Sequence, residues 1–199
     1  MQIACLDFEG VLVPEIWIKL AELTGIEELR LTTRDIVDYD ELMRHRLKVL
    51  SENRIGFSKL RESAELLEPL DGAKDFISWL SSHYQVAIIS DTFYELCGSL
   101  TQKLGRPMML CHKLQIKGDE IVGYALRQKD PKKKVVAAFQ SINYEVVAAG
   151  DSFNDISMLR QANKGTLFLP SDSVIEKNPD LPVALSYEEL KKFFRACLA

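Results

Sequence analysis

Asp7 and Glu9, two carboxylates one residue apart, follow directly on the apolar run Ile3-Ala4-Cys5-Leu6. A run of that kind reads as a buried strand, and charges at its end are costly unless a cation or hydrogen bonds neutralise them. In an open parallel sheet, ligands bind outside the carboxyl ends of the strands. A carboxylate pair in that place points to a divalent metal ion and phosphate chemistry. Three further elements follow in the chain: Ser90-Asp91-Thr92, Lys132, and Gly150-Asp151-Ser152-Phe153-Asn154-Asp155. Each alone has a plain explanation, Ser-Asp-Thr as a helix N-cap and Gly-Asp-Ser as a turn. All four at successive strand ends are much harder to explain that way.

The elements that must position them have the pattern of an α/β fold. Apolar, β-rich runs at Gln2–Leu6, Gln85–Ser90, Met108–Cys111, Glu145–Ala149 and Gly165–Leu169 alternate with stretches of helical period, which predicts a parallel sheet. The gap between the first two runs is too long for a simple crossover. Residues 14–69 hold three helical patterns and no convincing strand, so they are expected to form a helical cap inserted into a core of residues 1–13 and 70–199. Pro14 suits a first helical position, and Gly25 closes the helix carrying Ile16, Trp17, Leu20 and Ala21. Leu114–Arg127 reads as a β-hairpin turning at Lys117-Gly118-Asp119. Ser186-Tyr187-Glu188-Glu189 reads as a capping box at the start of the last helix.

Two cations are out of place. Asp130-Pro131 looks like a helix start, which puts Lys132, Lys133 and Lys134 in the first turn, at the positive end of the helix dipole. Lys133 and Lys134 can be solvated there, but a bound anion explains Lys132 better. Arg46 falls in the middle of the apolar face made by Tyr39, Leu42, Met43, Leu47 and Leu50. It either snorkels toward the helix end or turns inward to grip a carboxylate, for which guanidinium geometry is suited. Glu15, in a first turn, stabilises any helix and alone reads as structural.

Bulk properties limit the partners. The chain has 199 residues, 47% of them apolar and 27% charged, with a net charge of −4. That balance gives no general attraction to nucleic acid or anionic lipid, so an anionic ligand needs local positive charge. No apolar run reaches membrane-spanning length. Cys5, Cys97, Cys111 and Cys197 lack paired metal-ligand spacing and read as reduced thiols of a cytoplasmic protein.

Taken together, the four elements resemble the motifs of the haloacid dehalogenase superfamily of phosphotransferases. Asp7-Phe8-Glu9-Gly10-Val11 resembles its first motif, Ser90 the second, Lys132 the third, and Gly150-Asp151 through Asn154-Asp155 the fourth. Within it the chain resembles the phosphoserine phosphatases, and among them the bacterial bifunctional group that also transfers phosphate to homoserine. Leu12-Val13-Pro14-Glu15-Ile16-Trp17 and Ile89-Ser90-Asp91-Thr92-Phe93-Tyr94-Glu95 carry that finer likeness. Glu9 and Gly10 depart from the superfamily's usual Asp and Thr or Val, as that group does.

The resemblance implies a Rossmann-like core, a helical cap and Mg²⁺. It implies Asp7 as nucleophile, Glu9 as acid/base, and Lys132 and Ser90 on the phosphoryl oxygens. Asp7, Asp151 and the Glu9 backbone carbonyl would hold the metal, with Asp155 on a metal-bound water. Asp91 and Asn154 would join the substrate site, Arg46 would take the substrate carboxylate and Glu15 its ammonium. Phosphoserine, homoserine and water are the implied small molecules, and exposed aromatic residues on the cap would fit a homodimer. Three other readings stay open: a phosphatase of another small ester, a phosphorelay receiver, and a catalytically silent binding module.

Overall fold

A computed structural model describes residues 1–33, 35–36 and 38–198. Its centre is a seven-stranded sheet built from β1 (Gln2–Leu6), β2 (Gln85–Phe93), β3 (Met108–Lys117), β4 (Glu120–Ala125), β5 (Glu145–Gly150), β6 (Lys164–Phe168) and β7 (Val183–Ala184). The order across the sheet is β4-β3-β2-β1-β5-β6-β7. Every pairing is parallel except the β3–β4 hairpin.

The central strands β1 and β5 are apolar and buried along almost their whole length because both sheet faces are covered there, and alternate side chains go to opposite sides. Ala4 and Leu6 of β1 join one cluster with Phe76 and Phe194. Ile3 and Cys5 join the other, with Val135, Val136, Met158 and Leu159. The first cluster also takes in Phe8, Leu12, Ile16, Trp17 and Leu20, so the segment after β1 shares its core with the sheet.

That segment forms α1 (Ile16–Thr24), a 3₁₀ turn (Glu27–Arg30), α2 (Tyr39–Glu52) and α3 (Phe57–Glu65). Gly25 closes α1 in the left-handed conformation and donates its N–H to Ala21 O at 2.8 Å. Asp38 caps α2 by accepting from the Glu41 N–H at 2.8 Å. The remaining helices are α4 (Ala73–Ser81), α5 (Tyr94–Lys103), α6 (Pro131–Ser141), α7 (Ile156–Gln161), α8 (Asp172–Lys177) and α9 (Tyr187–Ala196). Among the described residues no helix is long and apolar enough to cross a membrane.

Several local expectations change. Helix α1 begins two residues after Pro14, with Glu15 at the N-cap, because the Glu9 carboxylate accepts the Ile16 N–H (3.2 Å) from across the loop. Strand β2 runs on through Ser90-Asp91-Thr92 to Phe93, so that triplet is no helix cap; Phe93 is the N-cap of α5. The β2–β3 register shifts between Ile89 and Phe93, a bulge that re-aims side chains there. The hairpin is no separate insert. Strand β3 leaves the parallel sheet and continues as the hairpin's first arm. At the last helix Ser186 accepts from the Glu189 N–H, but the Glu189 carboxylate reaches back to Leu185 instead of Ser186.

The hairpin tip docks on α3. Asp119 accepts from the Ser58 N–H (2.6 Å) and hydroxyl (2.8 Å), and its carbonyl accepts from the Phe57 N–H (2.6 Å). These bonds satisfy the open N–H groups of α3. Gly56 is required there, since a Cβ would lie 2.0 Å from the Asp119 carboxylate. Trp17, Tyr39 and Phe57, the aromatic residues of 14–69, are buried or half-buried. Among the described residues of 14–69 no aromatic side chain is fully exposed, so none of them supports the homodimer reading.

Candidate active site

Strand β1 lies between β2 and β5, with β2 to β4 laid down on one side of it and β5 to β7 on the other. That is a topological switch point, where the carboxyl ends of strands open a crevice. Asp7 sits at its floor, with its N–H donating to Ala149 O (3.0 Å). Asp7 Oδ1 accepts from the Phe8 N–H (2.7 Å) and lies 2.9 Å from Lys132 Nζ. The loop that follows is folded by the Phe8 carbonyl and the Gly10 N–H, on either side of Glu9.

Lys132 is 2% exposed, whereas Lys133 and Lys134 are exposed, which settles the anomaly of the basic first turn of α6. Its ammonium contacts Asp155 Oδ1 (2.7 Å) and Asp7 Oδ1 (2.9 Å), with Asp91 Oδ2 further off at 3.8 Å. Burial alone would lower its pKa, but Asp155, Asp7 and Asp91 hold it well above the ordinary value. Asp155 is fully buried, and its other oxygen accepts from the Asp151 (3.0 Å) and Ser152 (3.1 Å) N–H groups. This closes the loop after β5 into a capped 3₁₀ turn, Phe153–Asp155. Gly150 permits the approach, since a Cβ there would meet the Asp155 side chain at 2.4 Å.

Oxygens of Asp7, Asp151 and Asp155 lie within 4.8 Å of one another, all three residues buried. Three carboxylates against one ammonium leave a surplus of buried negative charge. Burial and the neighbouring Asp155 push the Asp7 carboxyl well above its ordinary value, against the pull of Lys132. A hard dication with oxygen ligands relieves that surplus, so the donor set fits Mg²⁺. Gly10 fits the same picture. Its φ is +83°, and a Cβ would stand 2.6 to 2.8 Å from the Asp151 carboxylate. A β-branched residue at this position is incompatible with Asp151 as placed.

Above the floor, the cleft is lined by Glu9, Glu15, Trp17, Tyr39, Arg46 and Ser90, among others. It is narrow, about 50 Å³, with the helices close over the acidic cluster. Arg46 is 5% exposed, so it does not snorkel. Its guanidinium stacks on Trp17 at 4.5 Å and donates to Leu31 O at 3.0 Å, while its buried Nε has no partner among the described residues. Burial pushes its pKa down, opposed by Tyr39, Glu9 and Glu15. A buried guanidinium with a spare donor beside a cleft is arranged for an anion. Ser90 Oγ accepts from the Thr92 N–H at 3.2 Å.

Asp91 is committed on every side. Asn154 donates to Oδ2 at 2.8 Å, His112 Nε2 lies 3.3 Å from Oδ1, and the Tyr39 hydroxyl donates to its carbonyl at 2.6 Å. Burial would raise its pKa, but Lys132, His112 and Asn154 bring it down to about 2. Tyr39 and His112 were not picked out as site residues from the sequence. His112 did carry a signal: like Asp7, it is the polar residue that follows an apolar strand run.

Comparison with known proteins agrees with this geometry. The family model described as haloacid dehalogenase-like hydrolase matches residues 1–163. The chain is 53% identical over 195 residues to phosphoserine phosphatase ThrH of Pseudomonas aeruginosa, covering 98% of this chain and 95% of that protein. It is 51% identical over 195 residues to a phosphoserine phosphatase of Pseudomonas syringae pv. tomato, covering 98% and 82%. Among solved structures, one described as a phospho-aspartyl intermediate analogue of phosphoserine phosphatase superposes with a TM-score of 0.80 at 23% identity, over 96% of this chain and 98% of that one. At that identity it shows the fold alone.

Proposed function

This chain belongs to the haloacid dehalogenase-like hydrolases, and we propose that it is a Mg²⁺-dependent phosphoserine phosphatase that also passes the phosphoryl group to homoserine. The observation that carries the reading is the placement of Asp7. Its Oδ1 is pinned by Lys132 and the Phe8 N–H, beneath a buried Arg46 with a donor to spare.

Pinning Oδ1 leaves Asp7 Oδ2 to attack phosphorus. The new Oδ2–P bond forms as the bond from phosphorus to the serine oxygen breaks, and Glu9 gives that oxygen its proton. In the second half, Glu9 takes a proton from water or an alcohol, whose oxygen attacks phosphorus and releases Asp7. Splitting one displacement into two lowers the barrier of each. Glu9 must be neutral first and ionised afterwards. Its bond to the Ile16 N–H ties it to the helix that carries Glu15 and Trp17. Lys132 and Ser90 hold the phosphoryl oxygens. Asp7, Asp151 and the Glu9 carbonyl would hold Mg²⁺, with Asp155 acting through a water. When bound, the ion supplies positive charge between two anions that would otherwise repel.

Arg46 takes the substrate carboxylate and Glu15 its ammonium, a pairing that suits an amino-acid zwitterion better than a sugar. We further assign residues 14–69 as a cap over a core of 1–13 and 70–199, and place the protein in the cytoplasm, consistent with its four free thiols. Screening phosphate release from phosphoserine, phosphothreonine and sugar phosphates tests the assignment; a preferred sugar phosphate would overturn it.

Three outcomes follow here. Arg46→Ala should lower kcat/KM on phosphoserine by roughly 10- to 150-fold, the worth of a charge-assisted hydrogen bond, and spare an aryl phosphate that lacks the carboxylate. Equal losses on both would remove Arg46 from substrate recognition. Mg²⁺ at a hundred times its Kd should stabilise the fold by about 2.7 kcal/mol, or roughly 5–10 °C in Tm. A melting curve indifferent to divalent ions would sink the metal site. With homoserine present, phosphoserine should yield phosphohomoserine, because an aligned alcohol reaches an effective molarity of about 10⁵–10⁸ M against water. Free phosphate as the sole product leaves a simple phosphatase.

A further inference from the structure

A carboxylate beside a phosphate site is an electrostatic liability, and Asp91 is such a carboxylate. It lies 3.8 Å from Lys132 Nζ, too far for a hydrogen bond, although the two carry opposite charge. Two of the three ammonium protons are used by Asp7 and Asp155. The third is the one a phosphoryl oxygen needs. Unrestrained, Asp91 would close the remaining ångström, take that proton and put its own charge where the phosphoryl group binds.

We propose that His112 is a positioning residue that holds Asp91 back and so keeps the third Lys132 proton open for phosphate. This rests on the reading of Lys132 as the phosphoryl-binding cation. His112 comes from β3 and is level with Phe93 just past the β2 bulge, which aims its ring at Asp91. It is 2% exposed and packs against the Tyr39 ring, with centroids 5.7 Å apart. The Arg127 N–H, just beyond the hairpin, donates to Nδ1 at 3.1 Å. A ring nitrogen that accepts carries no proton, so the proton is on Nε2 and faces Asp91 Oδ1. Asn154 holds the other oxygen from the opposite side. With both oxygens tethered, and the Asp91 carbonyl fixed by Tyr39, the carboxylate cannot swing onto the lysine.

His112→Phe deletes the donor and keeps a ring against Tyr39, whereas His112→Gln keeps an N–H donor. With Mg²⁺ present, His112→Phe should weaken inorganic phosphate binding, read by calorimetry, by about 10- to 100-fold. KM for p-nitrophenyl phosphate should rise by a similar factor, with kcat changed less. His112→Gln should remain within about threefold of the parent on the same scale. Adding Asp91→Asn to His112→Phe removes the intruding charge and should restore phosphate affinity. A role confined to packing predicts no such rescue. Unchanged affinity in His112→Phe, or a double variant no better than the single, overturns the proposal. Should His112→Phe fail to fold, Asn154→Ala releases the same carboxylate from the other side and must show the same loss and the same rescue; otherwise the proposal falls. Because phosphate binding is read apart from turnover, a parent protein that binds phosphate and hydrolyses nothing would refute the assigned activity, and the phosphate affinities of the variants would still decide this point.

Discussion

Asp7→Asn should abolish turnover of phosphoserine and aryl phosphates alike, by roughly 10⁴- to 10⁶-fold in kcat, the scale seen when a catalytic nucleophile is removed. The substitution is nearly isosteric, and an amide oxygen can still accept from the Phe8 N–H and Lys132, so the fold should survive. What it removes is the anionic oxygen. Uncharged Asn cannot displace the serine oxygen at phosphorus, and the remaining residues can bind the ester but have no group to receive it. Quenched-turnover mass spectrometry of the parent should place the label on the peptide containing Asp7, and the variant should show none. Substantial residual turnover, or label on another peptide, would end the aspartyl-phosphate account.

The second large effect is on stability. Lys132→Met leaves Asp7, Asp155 and Asp91 facing one another in a buried site with no counter-ion from the chain. Breaking a buried ion network in this way costs about 3–5 kcal/mol, so metal-free urea melts should shift by that amount. Mg²⁺ should recover part of the loss, while turnover should not return, because no ammonium remains for the phosphoryl oxygens. The sign of the pH effect is defined too. In the metal-free protein the folded Asp7 carboxyl is raised above its unfolded value, so between the two values the folded chain holds a proton that the unfolded one releases. Its contribution is complete below an unfolded pKa of about 3.9 and is lost as pH rises through the raised folded value. Removing the lysine should widen that loss. Identical melting midpoints for parent and variant, with chelator at neutral pH, would contradict the described contacts.

Much of this site could be read from the sequence because its parts follow strands. A buried parallel strand is a continuous apolar run, and the first polar residues after it mark the ligand edge of the sheet. Asp7 and Asp151 stood out for that reason, and Lys132 and Arg46 because each contradicts its own helix. The rest depends on contacts between distant segments. Ser90-Asp91-Thr92 is legible as a strand-end element of the site, but only the pairing with β3 shows the bulge that keeps it within β2. His112 lies 19 residues beyond Phe93, and no periodicity reveals that the two are level. The Asp119 contact with Ser58 spans 61 positions and leaves no local trace.

The position of β1 has a consequence during synthesis. The strand is flanked by β2 and β5, and Gln2 meets Glu145, 143 residues later. At about 5–20 residues per second, the ribosome needs roughly 7 to 30 s to deliver that partner. A nascent chain therefore exposes an apolar strand and the first of the three carboxylates of its acidic centre well before either can be completed. The growing polypeptide is at its most vulnerable in that interval, and a slow stretch of codons before position 145 would lengthen it.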